Sequence, residues 1–407
     1  MPPHTVASCF ILRVYLALTR RSFGEGSIDM RNIVGSTGAF EAWMKHRADV
    51  SRRLLEKKHR KMADGPFPFL RATFYRWVEQ WPKVCRRLAR RDEDVLLAVG
   101  DLHVENFGVW KDSRGQHVWG VNDFDDACEL PFTSDLVRLA ASVALAAEQQ
   151  HVKTSPRRFC KWLLGGYRAG LRRKGETIRV RQHETLRVLT EGTGEDAAQF
   201  WKRKLDSKEL DRADLPKGLE SMFRASFPRG AELAFREQRN PGGLGSLGRR
   251  RYTALVKGRR GGRHDAREAK ALVPSALYWL AKQPHMPSQT ATLLQHAIRT
   301  PDPYFQVHDR WLVRQLAPDV AKIELPKGEH DARLSLAPDM LRFMGWETAN
   351  IHLGSRNPDD LHERLERLEH VVGKNWLVEA AEDMTACTEG DYRQWRKHWN
   401  RQHTDRV

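Results

Sequence analysis

The sequence predicts a mixed α+β protein with a large helical part and a smaller β-rich part, and three observations carry that expectation. Residues 39 to 62 and the stretch from Pro338 to the C-terminus place apolar residues at helical spacing. Two short apolar runs, "DVLLAVGDLH" and "HVWGVNDFDD", end in acids, as buried strands delivering loops would. A Pro- and Gly-rich break begins near residue 240 and leads to strand-like patterns over residues 304 to 325.

In chain order, "AFEAWMKHRADVSRRLLEKKHRKM" predicts helix with a basic exposed face. "DGPFPFLRATFYRWVEQW" breaks at Gly-Pro and resumes as an aromatic-rich helix. The two strand-like runs follow, and then "SDLVRLAASVALAAEQQ" predicts a helix with Ser134 as N-cap and Asp135 in its first turn. Residues 156 to 240 read as mainly helical and highly charged. After the break, "GGLGSLGRRRYTALVKG" predicts a hairpin with its returning strand, and residues beyond Pro338 return to helix. No internal repeat or low-complexity tract interrupts this order.

At 407 residues, 40% hydrophobic and 30% charged, the chain is long enough for two lobes, each with a core, and is not a disordered polymer. Its net charge of +17 attracts anions: nucleic acid, anionic lipid or a phosphorylated ligand. The five cysteines (Cys9, Cys85, Cys128, Cys160 and Cys387) have neither disulfide-framework nor zinc-site spacing, which fits a reducing, cytoplasmic setting. Near the N-terminus, "VASCFILRVYLALTRR" contains an apolar run. Arg13 interrupts it, no small-residue cleavage site follows, and it falls short of the ~20 apolar residues of a membrane span, so residues 1–38 are read as a leader.

The chemistry concentrates in residues 100 to 144. A loop carrying Asp101 and, five positions later, Asn106 can aim a carboxylate at a substrate hydroxyl while the carboxamide oxygen binds a divalent ion. Asp123, at the end of the second apolar run, would complete that ion's coordination, with Asp125 and Asp126 as further ligands. Asp and Asn also cap helices and close turns. The combination of Gly100, two strand-end acids and a following acidic helix start favours a site. His103, on the same loop, either takes part in the catalytic arrangement or only shapes the loop by hydrogen bonding.

"GDLHVENFG", "NDFDDA" and "SDLVRLAAS" resemble motifs of the bacterial family called domain of unknown function 2252, grouped with protein-kinase-like phosphotransferases such as the aminoglycoside and choline kinases. "RKMADGPFPFLRATFYRW", "GLGSLGRRRYTALVKG", "AKALVPSAL" and "WLVRQL" are also similar to that family's pattern, so the likeness covers about residues 50 to 400. The resemblance implies a two-lobed, protein-kinase-like α+β fold. It implies that Asp101 is the catalytic-loop acid and that Asn106 and Asp123 bind metal. The motif order departs from an ordinary kinase, because the best glycine-rich loop lies about 140 residues C-terminal to Asp101.

This permuted order gives a helical lobe over residues 39–239, a nucleotide-binding β-rich lobe over 240–325 and a C-terminal helical part over 326–407. Gly243, Gly245 and Gly248, with Ser246 among them, would let the backbone approach phosphate closely. The alternative for that loop is a mobile basic surface hairpin. Lys270 would reach phosphate from the next strand, although residues 271 to 300 contain no acid to pair with it. Arg71, Arg314 and Lys322 are further candidates for phosphate contact.

Two functions remain open at this point. One is an ATP- and Mg²⁺-dependent phosphotransferase acting on a hydroxyl of an unidentified acceptor. The other is a non-catalytic module whose basic segments "RRLLEKKHRK", "RRLARR" and "GRRRYTALVKGRRGGR" engage nucleic acid or a protein partner, with no membrane partner in view. The sparse aromatic interleaving in those segments disfavours nucleic acid.

Overall fold

A computed structural model describes residues 31–192, 197–205, 207–239, 241–256, 265–283, 285–318 and 336–404. Most of the leader, residues 257–264 and Lys322 lie outside the described residues. The fold is mixed α+β, as the patterning requires.

Four helices open the described chain: α1 (Ile33–Lys45), α2 (Arg52–Ala63), α3 (Pro66–Ala72) and α4 (Phe74–Val84). Asn32 caps α1 by accepting from the Gly35 N–H, and Pro66 sits in the first turn of α3, where a missing N–H costs nothing. Leu54, Leu55, Lys58 and Met62 share the buried face of α2, so its basic surface is the opposite face.

Two antiparallel strand pairs follow. β1 (Val95–Ala98) pairs with β4 (Cys128–Pro131), and β2 (Phe107–Lys111) pairs with β3 (His117–Val121). Both acidic loops therefore begin where a buried strand ends. The long helix α5 (Phe132–Gln149) comes next. Its start corrects the expected cap: Pro131 occupies the N-cap, and Ser134, already inside the helix, accepts from Trp77 Nε1 at 3.2 Å. A Pro at the strand end starts the helix two residues before the polar residue that marked it.

After α6 (Pro156–Arg172), a six-stranded antiparallel sheet is assembled in the order β5-β6-β7-β8-β10-β9. Its strands are β5 (Ser207–Leu210), β6 (Leu233–Gln238), β7 (Arg251–Val256), β8 (Ala266–Ala271), β9 (Gln306–His308) and β10 (Trp311–Leu316). The mainly helical reading of residues 156 to 240 thus fails at its C-terminal end. In β6, Leu233 and Phe235 turn inward, and Phe235 stacks on Phe223, but charged neighbours mask the two-residue period. The glycine-rich segment is consequently the turn between paired strands β6 and β7.

Helices α7 (Pro338–His352), α8 (Pro358–Val372) and α9 (Trp376–Thr404) complete the fold. Their apolar faces join those of α1 to α6 and β1 to β4 in one large core. The sheet has a separate core around Leu219, Phe223, Phe235, Tyr252 and Val313. Among the described residues, no helix is long and apolar enough to cross a membrane.

Candidate functional site

The loop after β1 is fixed from below by α5. Asp135 is fully buried and accepts from the backbone N–H of Val99 through Oδ2 at 2.8 Å and of Gly100 through Oδ1 at 2.9 Å, while His352 Nε2 lies 3.1 Å from the same Oδ2. Gly100 has φ +78°, and a Cβ there would stand 2.3 Å from the Asp126 carbonyl. Only glycine lets the two acidic loops pass this closely.

Asp101 emerges from that anchor. Arg138, 1% exposed on α5, donates to its Oδ1 through Nε at 3.1 Å and through a second guanidinium nitrogen, and also donates to the Leu70 carbonyl at 2.9 Å. The guanidinium lies over the Phe74 and Trp77 rings, which hold its plane. Burial pushes the Asp101 carboxyl up to about 7, against the pull of Arg138 and with help from Asp126 and Asp123.

Asn106 closes the loop. Its Nδ2 donates to the Asp101 carbonyl at 2.6 Å and its own carbonyl accepts from Asn122 N at 3.0 Å, leaving the carboxamide oxygen for another partner and tying the two acidic loops together. His103 is buried, packs edge-on to Phe67 and accepts through its carbonyl from Asn106 N at 2.8 Å. Its side chain lines the cleft beside Asp101.

The second loop leaves β3, which Glu347 on α7 supports by accepting from Val121 N at 3.2 Å. Lys270, on β8, lies 3.1 Å from Asp123 and 2.6 Å from Asp125. Asp125 also pairs with Arg249 at 2.8 Å, and Asp126 accepts from Ala276 N at 3.0 Å. Burial raises the Asp126 carboxyl above its ordinary value.

The glycine-rich turn forms the opposite wall. A Cβ on Gly245 would stand 3.0 Å from Asp101 Oδ2 and 3.3 Å from the Arg71 carbonyl. Ser246 accepts from Arg251 at 2.7 Å, and Gly243 adopts φ +81° beside the same guanidinium. Gly248 is used differently: with φ +119° it presses on Leu55 of α2, so its missing side chain serves packing. Arg71, Asp101, His103, Asn106, Asp123, Gly243 and Gly245 all line one recess.

Residues from three distant parts of the sequence thus meet. Of the remaining candidates, Arg71 lines the recess and is paired with Glu105. Arg314 is held by Glu268 at 2.7 Å, in a buried cluster that also takes Arg251 and Gln238. Lys270 does have acidic partners, from the loop after β3 rather than from the segment that follows it. Sequence reasoning missed Arg138, Arg249 and Lys58. The first lies within "SDLVRLAAS" and the second directly follows the glycine turn, so position beside a motif was the available signal; Lys58 had none.

The model of one bacterial family matches residues 51–218 and 237–398, which together include every residue that lines the recess around Asp101 and Asp123. The chain belongs to the family domain of unknown function 2252. Its description is "uncharacterized protein conserved in bacteria". The two matched segments of domain of unknown function 2252 leave out only part of β6 and its approach within the region that builds the cleft. No curated protein and no solved structure matches the chain.

Proposed function

We propose that this cleft transfers a phosphoryl group from a nucleotide to a hydroxyl of an acceptor. The observation that carries the reading is the meeting of the glycine turn with Asp101, while Lys270 meets Asp123 in the same cleft. Glycine backbone close to an acid that can receive a proton, with a lysine beside metal-type acids, is the set phosphoryl transfer asks of a protein. The acceptor oxygen would bond to the terminal phosphorus as the bridging P–O bond breaks, and its proton would pass to the Asp101 carboxylate. A carboxyl held near neutrality suits that proton transfer.

The oxygens of Asn106, Asp123 and Asp125 are hard donors of the kind Mg²⁺ prefers. Among the described residues, no three His, Cys, Asp or Glu side chains close into a cation cage. That set fits an ion arriving with phosphates, since Mg²⁺ keeps several waters and commonly takes one or two carboxylates. When bound, the ion would neutralise phosphate charge. A protein-kinase-like arrangement with permuted motifs is part of the same proposal, with the six-stranded sheet as the nucleotide-binding lobe.

The test is turnover. Purified protein supplied with MgATP and a panel of small hydroxyl compounds and proteins should release ADP slowly and incorporate phosphate into one class, and Asp101→Asn should lower the rate at least about 100-fold. Equal rates for wild type and Asp101→Asn would refute the assignment.

A further inference from the structure

Lys58 is the cleft's least expected cation. It lies on α2, 2% exposed, and its Nζ donates to the carbonyl of Gly245 at 3.2 Å. The ammonium stands 5.9 Å from the Tyr75 ring centre. It borders a second recess, walled by Phe40, Met44, Tyr75 and Val273, that shares Arg71, Asp101, Asp125, Asp126, Gly245 and Arg249 with the first.

The other cations around Asp101 are neutralised. Arg138 is paired with Asp101, Arg71 with Glu105, Arg249 with Asp125, Lys270 with Asp123 and Asp125, and Arg314 with Glu268. Glu41, the nearest acid on α1 by its influence on Lys58, is taken by His59 at 2.6 Å. Arg138 and Arg249 also donate to backbone carbonyls, but each is paired with an acid as well, whereas the hydrogen bond of Lys58 among the described residues goes to the Gly245 carbonyl. An ammonium has three donors; burial lowers the Lys58 pKa, and the carboxylates of Glu41, Asp126 and Asp101 favour its charge without taking those donors.

We propose that Lys58 is the anion anchor of the cleft, receiving a phosphoryl oxygen of the nucleotide from behind the glycine turn. The identification of the anion rests on the phosphotransfer reading; the spare donors of Lys58 do not. Gly245 then serves twice: its missing side chain leaves room beside Asp101, and its carbonyl, at the wall common to both recesses, holds the lysine that lines the second. An incoming phosphoryl oxygen would take the donors that Gly245 leaves over. The phosphates would then be clasped by Lys58 without breaking any of the ion pairs that already hold the acids.

Calorimetric titration of the full chain with inorganic tripolyphosphate, and separately with MgATP, tests this. Lys58→Met should weaken both by about tenfold or more, and Lys58→Arg should keep most of the affinity. Lys58→Gln, which retains a donor for the Gly245 carbonyl, should melt like wild type and still lose the anion affinity, so loss of binding in it is not loss of fold. If wild type binds both anions and Lys58→Met and Lys58→Gln bind them equally well, the anchor is overturned while the phosphotransfer reading stands. Weakening of MgATP alone, with tripolyphosphate unaffected, also overturns it, because the lysine would then act on the nucleoside. Failure of wild type to bind either anion overturns both proposals.

Discussion

A Cβ atom on Gly245 would stand 3.0 Å from Oδ2 of Asp101, so the glycine turn and the acid after β1 meet where even a methyl group would crowd the carboxylate. Gly245 does not need a left-handed backbone, unlike Gly243 at φ +81° and Gly248 at φ +119°. Gly245→Ala should therefore crowd the site while sparing the fold. The expected result is about a tenfold loss of MgATP affinity by calorimetry, with a melting temperature close to wild type. Gly248→Ala should instead lower the melting temperature, because a Cβ there meets Leu55 at 2.6 Å in a strained conformation.

Turnover should depend on the ionisation of Asp101. Its carboxyl is pushed up to about 7 by burial, and only the carboxylate can accept a proton. The rate should rise with pH through about 7 and level off above it. A rate independent of pH between 5 and 9 would remove Asp101 from the role of base.

Stability should move the opposite way. Asp101 and Glu347 are both raised to about 7 by burial, whereas an unfolded carboxyl titrates at about 4. Between those values the folded chain holds protons that the unfolded chain has lost, so stability declines as pH rises from about 4 through 7. Chemical denaturation at stepped pH measures this slope, and Asp101→Asn and Glu347→Gln should each flatten it.

Asp135 should be a keystone of the fold. Removing its carboxylate strands the N–H groups of Val99 and Gly100 and leaves His352 without its acid. Asp135→Ala is expected to cost about 3 kcal/mol or more in denaturant unfolding, since several buried donors lose their acceptor together. A cost below about 1 kcal/mol would mean that the loop after β1 is held by other contacts.

Much of this was legible in the sequence, and the failures have physical causes. The strand-end acids Asp101 and Asp123 could be read because a buried strand is a short apolar run and its end is where polar chemistry resumes. The glycine turn could be read because three glycines at short spacing have few other uses. Strand β6 was hidden because "LAFREQ" alternates burial while its charged residues mimic a solvated helix. The start of α5 was misplaced because a Pro at a strand end outcompetes Ser134 as the boundary. Arg138 and Lys58 were invisible for a different reason. A basic residue on a helix is normally solvated, and only the third dimension turns these two toward Asp101 and the Gly245 carbonyl.

Titration of ATP into wild type and Asp123→Ala, each with and without Mg²⁺, tests the central claim most directly. Asp123 and Asp125 share Lys270, so the proposed ion ligands and a cation suited to phosphate stand side by side. Wild type should bind ATP, more tightly with Mg²⁺ present, and Asp123→Ala should bind ATP with no gain from the ion. Absence of ATP binding by wild type at any Mg²⁺ concentration would contradict the account.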